Sequence, residues 1–223
     1  ISYRSPDGEE GYPGNLSCKV VYSLSEDNKL SVEIEAITDK PTVINLTNHT
    51  YFNLAGEGDP TILDHLLTLP GTSFVATDTT NIPTNLQLVA GTPFDFRTAT
   101  VVGARIEEDH PQLVAGKGYD HTWVVPSVDN GLGLAASLYD PESGRVLELF
   151  TNQPGVQFYS GNYLDGSLTG SGGKPYPLRS GLCLEPQVYP DSPNHQEEDG
   201  WASCVLRPGE TYRNLSVFEF STK

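Results

Sequence analysis

Apolar and polar side chains alternate along much of this chain. Leu30, Val32, Ile34 and Ala36 are separated by Ser31, Glu33 and Glu35, the two-residue period of a strand with one buried and one wet face. Val43-Ile44-Asn45-Leu46 predicts a second strand. Residues 134–139 and 145–150 flank Asp140-Pro141-Glu142-Ser143-Gly144, whose proline and glycine predict a hairpin turn. Residues 156–159, 182–184 and 215–220 predict further strands. No stretch follows a 3.6-residue period, so no helix is predicted. The 22 glycines and 17 prolines suit frequent turns. Many strands and few helices predict an all-β fold, a large antiparallel β sandwich. No internal repeat or low-complexity tail breaks the sequence, and 223 residues fit one large domain, 1–223.

Charge narrows the functional classes. Thirteen Lys and Arg stand against 29 Asp and Glu, a net charge of −16. Phosphate backbones and anionic lipid surfaces attract basic patches, so the balance argues against nucleic-acid and membrane partners. The apolar runs are also far shorter than the roughly 20 residues of a spanning helix. A neutral ligand is compatible with this acidity. Cys18, Cys183 and Cys204 form no Cys-x-x-Cys pair, which argues against a zinc site; one disulfide is allowed, without a defined pairing. Asn-x-Ser/Thr sequons occur at Asn15, Asn45, Asn48 and Asn214. Asn15 and Asn214 are the expected surface sites, whereas glycans at Asn45 or Asn48 would block the ground around His49. No leader is visible, and the sequence opens at Ile1, so compartment stays open.

Candidate chemistry concentrates in Asn45-Leu46-Thr47-Asn48-His49-Thr50-Tyr51-Phe52-Asn53-Leu54. Amides and hydroxyls at this density suit a ligand covered in hydroxyl groups, and a histidine, with a reference pKa of about 6.5, adds a proton donor. A lone histidine is more often structural; here the surrounding motif favours function. Glu185, in Gly181-Leu182-Cys183-Leu184-Glu185-Pro186-Gln187, follows apolar strand residues and precedes a proline, as expected of a partly desolvated carboxylate at a strand end. Its bland alternative is an exposed glutamate in an acidic protein. Asp120 and His121 lie in Gly118-Tyr119-Asp120-His121; neighbours in a strand face opposite sides, so His121 reads as structural. No Gly-x-Ser-x-Gly elbow occurs, Cys183 has no evident activator, and Gly170-Ser171-Gly172-Gly173 lacks the Lys-Ser/Thr ending of a phosphate loop. His65 and His110 sit in polar loop contexts and carry no argument.

The run Asn-Leu-Thr-Asn-His-x-Tyr-Phe-Asn-Leu-Ala-Gly, from Asn45 to Gly56, resembles the signature of the aldose 1-epimerases, and the Leu184-Glu185 segment with Pro190-Asp191-Ser192-Pro193-Asn194 resembles their second signature. The resemblance implies a mutarotase-like sandwich that interconverts the anomers of a hexose such as glucose or galactose, with His49 as acid and Glu185 as base. It implies sugar contacts from Asp120 and from Gln157 in Gln153-Pro154-Gly155-Val156-Gln157-Phe158-Tyr159, with Tyr51 lining the pocket. The reaction needs no cofactor, and its partner is a monosaccharide. Family members also carry an N-terminal stretch with an Asn-Arg pair and a Leu-His-Gly-Gly motif, neither found here. The expectation is a separate N-terminal chain of the same protein, a segment outside this sequence, or an exposed sheet edge. The resemblance implies a cytoplasmic protein, while acidity and the sequons at Asn15 and Asn214 suit a secreted one. Alternatives are a non-catalytic carbohydrate-binding protein on the same scaffold and a hexose-6-phosphate 1-epimerase. The latter wants basic residues near the motifs, and none cluster there.

Overall fold

The computed structural model describes residues 1–126, 131–196, 198 and 200–223. Its strands, in chain order, are β1 (Ser2–Ser5), β2 (Leu16–Leu24), β3 (Lys29–Thr38), β4 (Thr42–Val43), β5 (Tyr51–Phe52), β6 (Leu66–Thr68), β7 (Ser73–Thr77) and β8 (Pro83–Leu88). They continue with β9 (Thr100–Val101), β10 (Asp120–Val124), β11 (Gly133–Tyr139), β12 (Arg145–Thr151), β13 (Gly155–Tyr159), β14 (Leu182–Gln187), β15 (Val205–Leu206) and β16 (Tyr212–Thr222). One sheet runs β1-β2-β3-β16-β12-β11-β6-β9 and the other β5-β14-β13-β10-β7-β8, while β15 and β4 form a small ribbon. The paired strands are antiparallel, as in β3 with β16 and β13 with β14.

The two sheets bury their facing sides. Val32, Ile34, Leu138, Leu147 and Phe218 from the eight-stranded sheet meet Phe74, Trp123, Val156, Phe158, Leu182 and Leu184 from the six-stranded one in a single core cluster. Aromatic rings fill its thickest part: Phe74 stacks on Phe94 at 4.3 Å, and the Trp123 indole N–H donates to the Phe94 carbonyl at 3.0 Å. The alternation in β3 is realised as read, with Val32, Ile34 and Ala36 buried and Glu33 exposed. The β11–β12 hairpin also forms, with a bulge between Leu134 and Ala136. Gly144 closes its turn at φ +73°, a left-handed conformation that glycine adopts without strain.

Four expectations need correction. The strand expected at 43–46 stops at Val43, because the Asn45 amide turns away to hydrogen-bond the backbone of Val188. A short helix, α1 (Pro111–Gly116), does form. The His110 imidazole caps it by accepting from the Gln112 N–H, and the Gln112 amide clamps the Thr77 backbone in β7. Fewer than two turns are too short for a 3.6-residue period to show. Asn214 is not a surface sequon: it is 2% exposed, and its amide donates to the carbonyls of Leu46 and Pro186. His65, read as a polar loop residue, is also buried; its Nε2 accepts from the Leu54 N–H at 2.9 Å. All three cysteines are free. The eight-stranded sheet ends on β1, three of whose four residues are exposed. Among the described residues no helix is long and apolar enough to cross a membrane.

Candidate active site

The six-stranded sheet turns Leu182, Leu184, Val156, Phe158 and Trp123 toward the core. A two-residue period must then send Cys183, Glu185, Gln157, Tyr159, Asp120 and Thr122 to the opposite face. Antiparallel register aligns them. Thr122 pairs with Gln157 and Gln157 with Glu185 in one row, and Asp120, Tyr159, Cys183 and Tyr51 make the next. His49 enters from the loop before β5. His49, Tyr51, Asp120, Gln157, Tyr159 and Glu185 line an open cleft of about 290 Å³ with Tyr163, Gln187 and Pro190. All five residues singled out in the sequence, His49, Glu185, Asp120, Gln157 and Tyr51, border it.

His49 and Glu185 meet directly. His49 Nε2 lies 3.5 Å from Glu185 Oε1, with the imidazole 55% exposed and the carboxylate only 8%. Burial, and then the charge of Asp120, push the Glu185 carboxyl up to about 7. Burial raises Asp120 as well, opposed by a 2.8 Å hydrogen bond from the Gln157 amide to its Oδ1. Thr122 donates its hydroxyl to Gln157 Oε1, which fixes the amide with its N–H₂ toward Asp120. Tyr51 stacks on the His49 ring at 5.5 Å, and Tyr159 meets it edge-on at 6.3 Å, so two aromatics hold an otherwise exposed imidazole.

His121 points the other way. It is 2% exposed, packs edge-on against Phe94 at 4.8 Å, and burial drives its pKa down to about 3. An imidazole kept neutral and walled off from the cleft cannot serve as a proton donor there.

The asparagines of the motif bond backbone around the cleft. Asn45 bonds both the N–H and the carbonyl of Val188, at 3.0 and 2.9 Å. Asn48 accepts from the Thr50 N–H at 3.2 Å, and Asn53 donates to the carbonyls of Asp59, Thr61 and Ser180. These amides satisfy irregular backbone and pin the His49 loop to the end of β14. Tyr159 was not singled out as a cleft residue, nor Thr122 and Cys183 as sharing its face of the sheet. Their signal was present as in-frame positions, two residues from Asp120, Gln157 and Glu185 in strands whose other face is apolar.

The fold is a β sandwich with a carboxyl and an imidazole 3.5 Å apart at an open polar cleft. The aldose 1-epimerase family model matches residues 1–219, and the chain belongs to that family. It is 43% identical to the galactose mutarotase of Mus musculus over 218 residues, covering 97% of this chain and 61% of that protein. It is 40% identical to the aldose 1-epimerase of Escherichia coli over 219 residues, covering 97% of this chain and 62% of that protein. The galactose 1-epimerase structure from Lactobacillus acidophilus superposes with a TM-score of 0.84 at 28% identity, covering 99% of this chain and 61% of that one. The chain thus spans about three fifths of the length of these relatives.

Proposed function

We propose that the protein is an aldose 1-epimerase acting on a neutral hexose such as galactose or glucose. The observation that carries this reading is the His49–Glu185 pair, 3.5 Å apart, beside the Asp120–Gln157 hydrogen bond. Ring opening needs a base at the anomeric hydroxyl and an acid at the ring oxygen. Ionised Glu185 takes the O1 proton. The C1–O5 bond breaks as protonated His49 gives its proton to O5. Rotation about C1–C2 presents the other face of the aldehyde, and the two transfers reverse to close the ring as the opposite anomer. Protons and electrons balance over the cycle, and both side chains return to their starting states.

A carboxyl at about 7 is well matched to this task near neutral pH, since a general base works best with a pKa close to the operating pH. The carboxylate of Asp120 and the amide of Gln157 offer acceptors and a donor to sugar hydroxyls, and Tyr51 flanks the acid. The cleft, at about 290 Å³, falls at the bottom of the roughly 300–1,000 Å³ range of drug-sized ligand sites, which suits one sugar ring. No lysine or arginine lines it among the described residues, which favours an unphosphorylated hexose.

Polarimetry on freshly dissolved α-D-galactose and α-D-glucose tests the reading. Acceleration over spontaneous mutarotation by the protein is the expected result. Saturable sugar binding with no acceleration would instead make it a carbohydrate-binding module on this scaffold.

A further inference from the structure

The face of β14 that carries Glu185 also carries Cys183, two residues earlier and fully buried beneath the cleft. Tyr51 and Tyr159 pair with Cys183 on either side, so the thiol lies below the aromatic cradle of His49. The ligating atoms of His49, Cys183 and Glu185 lie within 4.8 Å of one another. The mutarotase reading leaves the thiol without a task. The missing Cys-x-x-Cys spacing argues only against a locally encoded metal site; here strand pairing and a loop assemble one nitrogen, one sulfur and one oxygen from distant positions.

We propose that His49, Cys183 and Glu185 form a binding site for a thiophilic divalent cation, Zn²⁺ foremost, that blocks the cleft. The geometry is close to what the ion needs. Zinc bonds of about 2.0–2.3 Å in a tetrahedron place ligand atoms roughly 3.3–3.8 Å apart. The His49–Glu185 separation of 3.5 Å already meets this. The widest separation in the set, at most 4.8 Å, must close by about an ångström. Nitrogen, thiolate and carboxylate donors suit zinc and cobalt over magnesium or calcium. One thiolate and one carboxylate neutralise the dication, so the filled site carries no net charge.

Binding replaces the S–H bond with a metal–sulfur bond and releases that proton to solvent. It also occupies the lone pair of His49 and an oxygen of Glu185. Loss of activity on binding, unlike the binding itself, rests on the acid–base reading.

Cobalt is the probe. Co²⁺ bound by Cys183 should show a near-ultraviolet thiolate charge-transfer band, displaced by Zn²⁺ and removed by a chelator. Cys183→Ser and Cys183→Ala should lose the band. Each should need about tenfold or more zinc for half-inhibition of anomer interconversion, since even ligands' outer partners are worth 10–100-fold in affinity. A wild-type protein without the band, or equal zinc sensitivity in both variants, would overturn the site. Because the band is read without any sugar, failure of the mutarotase assay and failure of the metal site give different results.

Discussion

Burial and the charge of Asp120 hold the Glu185 carboxyl at about 7, against 4.5 for an ordinary glutamate. The native state therefore binds this proton more tightly than the unfolded chain does. The sign follows: the carboxyl imposes no penalty below about 4.5, and stability is lost as pH rises through about 7. At about 1.36 kcal/mol per unit, the ionised group costs roughly 3 kcal/mol. Glu185→Gln should be more stable than wild type by that order near pH 8.5, with the gap closing near pH 4 in urea titrations. A pH-independent gap would mean a solvated carboxyl. The same substitution should slow anomer interconversion by a factor on the order of 10²–10⁴, and His49→Asn should do similar damage. His121→Asn should leave the rate far closer to wild type, because that ring faces the core. Asp120→Asn removes one cause of the raised carboxyl, so the acid limb of the kcat/KM profile should move to lower pH.

The strands place the cleft and a loop completes it. A one-residue slip of β14 against β13 would send Glu185 into the core and Leu184 into the cleft. Apolar burial on the other face prevents this, with Leu182, Leu184, Val156 and Phe158 all buried in the core. The loop carrying His49 has no ladder and depends on side-chain amides. Asn45→Ala removes both hydrogen bonds to Val188. At about 0.5–1.5 kcal/mol each, the loss is roughly 1–3 kcal/mol. Since it falls on the segment that positions His49, the proposed acid, kcat should drop more than the modest change in Tm suggests. Equal activity with lowered Tm would mean that the aromatic pair Tyr51 and Tyr159 alone orients the ring.

The sequence carries a net charge of −16. Its field does not discriminate among neutral hexoses but disfavours a phosphorylated one at close range. Galactose or glucose should therefore be turned over with a higher kcat/KM than the corresponding 6-phosphate. The ratio should shrink as salt is raised from low ionic strength, because the Debye length falls to about 8 Å at physiological salt. A 6-phosphate preferred at all salt concentrations would point to a basic subsite and reject the neutral-sugar assignment.

The two-residue alternation was enough to read an all-β sandwich, because burying one face of a sheet constrains every second residue whatever its partners are. The long motif and the carboxylate before Pro186 were enough to single out His49 and Glu185. Their meeting was not legible, since 136 positions separate them and only pairing of β14 with β5 and β13 closes that distance. Nor was the division of labour among polar residues. Asn45 and Asn214 look like glycan sites or ligand contacts in the sequence, yet they tie backbone to backbone; Cys183 looks like inert strand filling, yet it shares a face with Glu185. The physical reason is common to all three. A polar side chain's role depends on which unpaired donor or acceptor lies within about 3 Å of it, and across a sheet those neighbours come from strands far away in the chain.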